Sequence, residues 1–143
     1  MREIMFRGKK HDGTWAYGSL IHADEYCCIL EDEDKVHPMN YPYLDYELGT
    51  FDGKATPVDF KTVGQYTGKV DKNGTKIFEG DVVDVSKTDY IWPTRFNRVI
   101  VEWDDAYAGF DPFVEYDRNL EMYTYAKSCI VIGNIHDNPE LMK

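Results

Sequence analysis

A chain of 143 residues with 26 acidic and 16 basic side chains carries a formal charge of -10. That is long enough for one ordinary domain with a sizeable core, and its sign opposes wholesale binding to a polyphosphate backbone unless a basic patch is set apart from the rest. No apolar run approaches the roughly 18 to 20 residues that span a bilayer, and the N-terminus lacks the apolar centre of a signal peptide, so a cytoplasmic protein without a membrane partner is expected.

Aromatic residues make up 15% of the chain and eleven of them are tyrosines, a composition suited to strands, where flat rings pack across a pleated surface. The three cysteines, Cys27, Cys28 and Cys129, are odd in number and two are adjacent. Neither a disulfide framework nor a paired metal-ligand spacing fits them, and free buried thiols in a reducing compartment are expected.

In chain order, residues 1–21 read as a hairpin. Ile4 and Phe6 alternate with Glu3, Met5 and Arg7, Asp12-Gly13 marks the turn, and Trp15, Tyr17 and Leu20 follow. Lys9, Lys10 and His11 sit at the tip, and Arg2 and Arg7 complete the densest basic cluster of the chain. A solvated hairpin tip and a nucleic-acid contact both account for it.

Residues 26–30 are apolar enough for a buried strand, and Glu31-Asp32-Glu33-Asp34 then reads as an exposed loop, because adjacent like charges resist burial. A calcium loop needs spaced ligands and a closing glutamate, which this run lacks. Residues 38–48, with Pro42, Tyr41, Tyr43 and Tyr46, read as an extended loop or short edge strand whose tyrosines either cover the core or anchor a subunit contact. Residues 49–57 are short, polar and turn-rich, and mark a boundary between two lobes, 1–57 and 58–143.

Residues 62–83 are the most strongly patterned stretch, with Asn73-Gly74 and Glu79-Gly80-Asp81 as turns between short β-type runs. Asp81 is expected to accept hydrogen bonds from turn amides. Residues 86–97 form a long loop holding Tyr90, Ile91, Trp92 and Pro93, flanked by Lys87, Arg95 and Arg98; it either covers a barrel end or presents a contact surface. Residues 99–103 read as a strand, Asp104-Asp105 as a turn, and 110–115 as a further extended segment. Residues 118–125 fit a short helix or a strand equally. Residues 129–135 read as a buried strand broken at Gly133. Asn138, Pro139 and Glu140 then spell a helix start, as N-cap, first helical position and dipole-favoured acid.

The four histidines are scattered, no serine lies in a nucleophile elbow and no glycine run forms a phosphate loop. No catalytic, cofactor or metal site is therefore expected. Two carboxylates in different environments can serve as acid and base, so Glu102, Asp104, Asp105, Asp111 and Glu115 form the one grouping open to a hydrolase reading.

Three pieces of the chain together resemble the YopX family of phage and prophage proteins. They are Phe6-Arg7-Gly8-Lys9 with Trp15-Ala16-Tyr17-Gly18; Val63-Gly64-Gln65-Tyr66-Thr67-Gly68 with Asp71-Lys72-Asn73-Gly74 and Ile77-Phe78-Glu79-Gly80-Asp81-Val82-Val83; and Ile132-Gly133-Asn134-Ile135-His136-Asp137-Asn138-Pro139-Glu140-Leu141. The resemblance covers residues 1–143 as a single YopX-like domain and implies a small, β-rich, phage-encoded protein of the host cytoplasm to which no catalytic residues are assigned. Glycines, turn formers and aromatics carry it, as a requirement for backbone shape would select. The strand, Glu-Gly-Asp turn, valine strand, long loop and strand of the second half are similar to an SH3-like small barrel, an analogy at the level of fold alone.

Three functions follow in rank. First is a non-enzymatic binding or assembly module, a homo-oligomer or the partner of another phage or host protein. Second is nucleic-acid binding through Arg2, Arg7, Lys9, Lys10, Arg95 and Arg98 with Trp92 as a stacking platform. Third is the carboxylate hydrolase. An acidic surface that mimics DNA to block a host enzyme also fits the charge.

Overall fold

A computed structural model describes residues 2–24, 26–31, 44–45, 50–51, 55–86, 97–114 and 126–143. The chain divides into two compact units, Met1–Gln65 and Tyr66–Lys143, and β structure dominates both, as expected.

The first unit holds β1 (Phe6–Lys9), β2 (Trp15–Ala23), β3 (Tyr26–Glu31), β4 (Leu44–Asp45), β5 (Thr50–Phe51), β6 (Ala55–Pro57) and the first half of β7 (Asp59–Val70). Its main sheet runs in the order β6-β3-β2-β1-β7, antiparallel throughout, and β4 and β5 form a separate small pair. On β3, Cys27, Cys28, Ile29 and Leu30 are all buried, so both faces of this strand are covered. Full burial of a side chain such as Ile29 stabilises by about 2 to 3 kcal/mol relative to leaving it in water.

Val58 alone separates β6 from β7, yet β6 flanks β3 while β7 flanks β1 at the other end of the strand order. One strand can serve both edges only if the sheet curls toward itself. The Val58 amide donates to the Cys27 carbonyl at 3.0 Å, and a methyl added at Gly8 of β1 would lie 2.8 Å from Val58 Cγ2. Val58 is thus wedged between β3 and β1. Past the bend the β1–β7 register shifts, with the Thr62 hydroxyl accepting from the Lys9 amide and donating to the Asp59 carbonyl.

The boundary between the units falls inside β7. The first half of β7 belongs to β1, whereas its second half pairs with β8 (Lys76–Phe78).

The second unit continues with β9 (Asp81–Asp84), β10 (Arg98–Ile100), β11 (Glu102–Asp104), β12 (Gly109–Asp111) and β13 (Ile130–Asn134). β9 lies between β10 and β13, and Val82 and Val83, which point to opposite faces, are both fully buried. Ile77, Val83, Val85, Val101, Phe113, Ala126 and Cys129 form its core, with Val99, Phe110 and Val131 packed against them.

The described sheets of the second unit are open and form no SH3-like barrel: β10-β9-β13 is a three-stranded sheet and β11-β12 a separate hairpin. The 99–103 strand is split at Val101, whose amide and carbonyl leave the ladder to bond the Asp81 carbonyl and the Gly80 amide, each at 2.8 Å. The β13 segment is half-buried where full burial was expected, and its register shifts between Val131 and Gly133. The C-terminal turn Pro139–Met142 forms as a 3-10 helix, but the Asn138 side chain does not cap it. Instead Asn138 Oδ1 turns back to accept from the Asn134 amide at 3.3 Å.

Burial pushes up the thiols of Cys27 and Cys28, and that of Cys129 to about 12, with Asp71 and Asp84 adding to the last. None of the three is in a disulfide, and all are buried. Iodoacetamide at neutral pH is expected to spare Cys129 in the folded protein and to modify it once denaturant is added. Because the folded thiol titrates above the ordinary 9.0, its share of stability is complete below pH 9.0 and is lost as the pH climbs toward about 12. An alkaline denaturation series that shows no such decline in the wild type relative to Cys129→Ala would count against this assignment. The expected long loop and the 118–125 segment lie outside the described residues apart from Ser86 and Asn97, as do the acidic run after Glu31 and the tyrosines at 41, 43 and 46.

Candidate functional site

Four polar residues of the patterned motifs, Thr67, Asp71, Asp81 and Asn134, bond the main chain. Asp71, 3% exposed, accepts from the Asn73 and Thr75 amides through Oδ1 at 2.8 and 2.9 Å, and from the Val131 amide through Oδ2 at 2.9 Å. One carboxylate thereby closes the Asn-Gly turn and fastens it to β13. Asp81 is buried and accepts from the Phe78 amide at 2.8 Å, the structural role expected of it. The Thr67 hydroxyl donates to the Ile77 carbonyl at 2.9 Å.

Asn134 ties off the last motif. Its Oδ1 accepts from the His136 and Asp137 amides at 3.0 and 2.9 Å, while its Nδ2 donates to Asp137 Oδ2 at 3.0 Å. Leu141 and Asn138 close over Gly133, where a Cβ would stand 2.5 Å from Asn138 Oδ1.

The first hairpin brings together only part of its basic cluster. Arg7 is 6% exposed with its guanidinium 4.7 Å from the centre of the Trp15 ring, and Lys9 Nζ lies 5.7 Å from the same ring. Lys10 pairs with Glu31 at 3.7 Å. At the tip the Thr14 hydroxyl and amide hold the Asp12 carboxyl below its usual range. Arg2 is exposed. Arg98 belongs to the second unit, where its Nη1 donates to the Leu141 carbonyl at 3.3 Å. Trp92 and Arg95 lie outside the described residues.

The carboxylates weighed for hydrolysis stand on the β11–β12 hairpin, with Glu102 opposite Asp111 and Trp103 opposite Phe110. Asp104 Oδ1 caps the turn by accepting from the Ala106 and Tyr107 amides, and Asp105 accepts from the Trp103 indole at 2.8 Å. Trp103 and Tyr107 are 47% and 52% exposed. This hairpin presents aromatic surface and negative charge. Glu115 lies outside the described residues.

A feature missed in the sequence is a groove of about 470 Å³ in the second unit, lined by Gly68, Lys69, Val70, Ala126 and Lys127. The Lys72 amide donates to the Cys129 carbonyl at 3.0 Å, which holds the β7–β8 turn against the short 3-10 turn Ala126–Ser128. Lys76 stands opposite groove-lining Val70 in the β7–β8 ladder. Lysines at 69, 72 and 76 beside an Asn-Gly turn were the available signal, but Lys127 comes from a remote segment.

These elements define a class: a mainly β protein of two units whose motif side chains fix turns. A family model described as YopX protein matches residues 6–143, and the chain belongs to the YopX family. The crystal structure of protein EF1440 from Enterococcus faecalis is similar in fold over 100% of both chains, with a TM-score of 0.54 and 23% sequence identity. No curated protein matches the chain.

Proposed function

We propose that this YopX protein is a non-enzymatic binding or assembly module of phage or prophage origin, working as a homo-oligomer or with a phage or host protein. One observation supports the reading most: Asp71, Asp81 and Asn134, polar residues of the motifs, are buried against main-chain partners, while Trp103 and Tyr107 stand exposed on a hairpin. Large aromatic side chains supply much of the binding energy at protein interfaces. The second unit serves in this reading as an open variant of the SH3-like strand succession.

Size-exclusion chromatography with light scattering, together with affinity capture from infected cells, tests it. A mass above the monomer or a specific captured protein is expected, and Trp103→Ala with Tyr107→Ala is expected to remove it. A protein that stays monomeric at high concentration and captures nothing would sink the proposal.

Nucleic-acid binding through the first hairpin ranks second, because Arg7 is packed beneath Trp15 and leaves phosphate contacts to Arg2, Lys9 and Lys10.

A further inference from the structure

We propose that the lysine-lined groove of the second unit binds a phosphate-bearing ligand, an inference that stands independently of the assembly reading. Its basis is a local reversal of charge. Across residues 66–78 and 126–131 the ionisable side chains are Tyr66, Lys69, Asp71, Lys72, Lys76, Lys127 and Cys129. The one carboxylate among them, Asp71, is buried and accepts three backbone amides, whereas all four lysines are exposed. Among the described residues, Lys69, Lys72 and Lys127 have no carboxylate within ion-pair distance. In these two segments the anion faces inward and Lys69, Lys72 and Lys127 face solvent, while Lys76 Nζ lies 5.3 Å from the centre of the Tyr66 ring and half-buried Asp84 stands opposite Ile130 in the β9–β13 ladder.

Shape supports a ligand there. Lys69 and Lys127, from segments far apart in the chain, line one groove of about 470 Å³, within the roughly 300 to 1,000 Å³ that small-molecule sites occupy. The groove is held by the main chain through the Lys72–Cys129 hydrogen bond, and a second bond, from the Cys129 amide to the Ala126 carbonyl, also at 3.0 Å, fixes its 3-10 turn. Lysine is a compact point charge that serves phosphate, and the groove takes one from each of two segments. The shared chemistry has two sources, the polyphosphate of a nucleotide or the backbone of a nucleic acid.

Two probes separate them, each at about 50 mM salt, where such contacts are strong. Calorimetry follows inorganic triphosphate, and fluorescence anisotropy follows a labelled single-stranded oligonucleotide. The variant Lys69→Glu with Lys127→Glu is compared with Lys9→Glu with Lys10→Glu, and thermal melts check that both are folded. Triphosphate binding lost only in the first variant supports the proposal with a nucleotide-type ligand. Oligonucleotide binding weakened only in the first variant, with the slope of log affinity against log salt reduced by about 1.4 as two single-strand phosphate contacts go, supports it with a nucleic acid. Binding of neither probe, or binding unchanged by the groove variant, overturns it, and so does loss in the first-hairpin variant alone.

Discussion

Asp71→Ala is expected to destabilise the protein by about 3 kcal/mol, since each buried donor deprived of its acceptor costs roughly 1 to 3 kcal/mol and the turn amides of Asn73 and Thr75 recover part of that from water. A lowering of Tm by about 10 °C corresponds to this at the size of the chain. The Val131 amide is the costliest loss, because it sits in β13 and has no turn to relax into. Asp71→Asn discriminates the two halves of the role. It keeps an oxygen for Asn73 and Thr75 but sets an amide N–H₂ against the Val131 N–H, so roughly half the loss is expected, consistent with one donor in conflict. Thermal and urea melts of the three proteins decide the matter, and an alanine variant as stable as the wild type would show that the turn holds without this pin.

Gly18→Ala is expected to disrupt the first unit at a cost of about 3 kcal/mol or more, at or beyond the upper end of the roughly 1 to 3 kcal/mol that overpacking typically costs. Gly18 pairs with Glu31 in the β2–β3 ladder, and a Cβ there would be driven into the Leu30 carbonyl oxygen. That obstacle is backbone, so no rotamer change relieves it and the strands must separate. Hydrogen exchange reports this directly: amides of β2 and β3 should lose protection first. Retained protection at wild-type stability would refute the assignment.

What the sequence made legible was local. Asn73-Gly74 and Glu79-Gly80-Asp81 specify their turns through their own backbone preferences and side-chain acceptors, so β7, β8 and β9 were readable from a few adjacent residues. The role of Asp71 beyond its turn was not, because its third partner lies 60 residues along the chain. The bend at Val58 was hidden for the same reason: only the three-dimensional order of strands shows that β6 and β7 serve different edges. Arg7 read as a surface charge, yet its guanidinium lies over Trp15, and charge alone does not reveal that a long side chain can bury its stem and stack its head. Asn138 had the chemistry of an N-cap, but a tighter 3-10 turn and a nearby Asn134 amide drew its oxygen elsewhere. The groove combines lysines from two segments, a juxtaposition that no window of sequence contains.

The passage of β7 from one unit to the next bears on how the protein can be dissected. A fragment ending at residue 57 would leave β1 with a bare outer edge, and one beginning at residue 58 would carry Asp59–Gln65 without its mate. Such halves are poor candidates for separate expression, since exposed strand edges promote aggregation. Co-produced, they are natural candidates for fragment complementation, with the β1–β7 ladder as the seam that rejoins them.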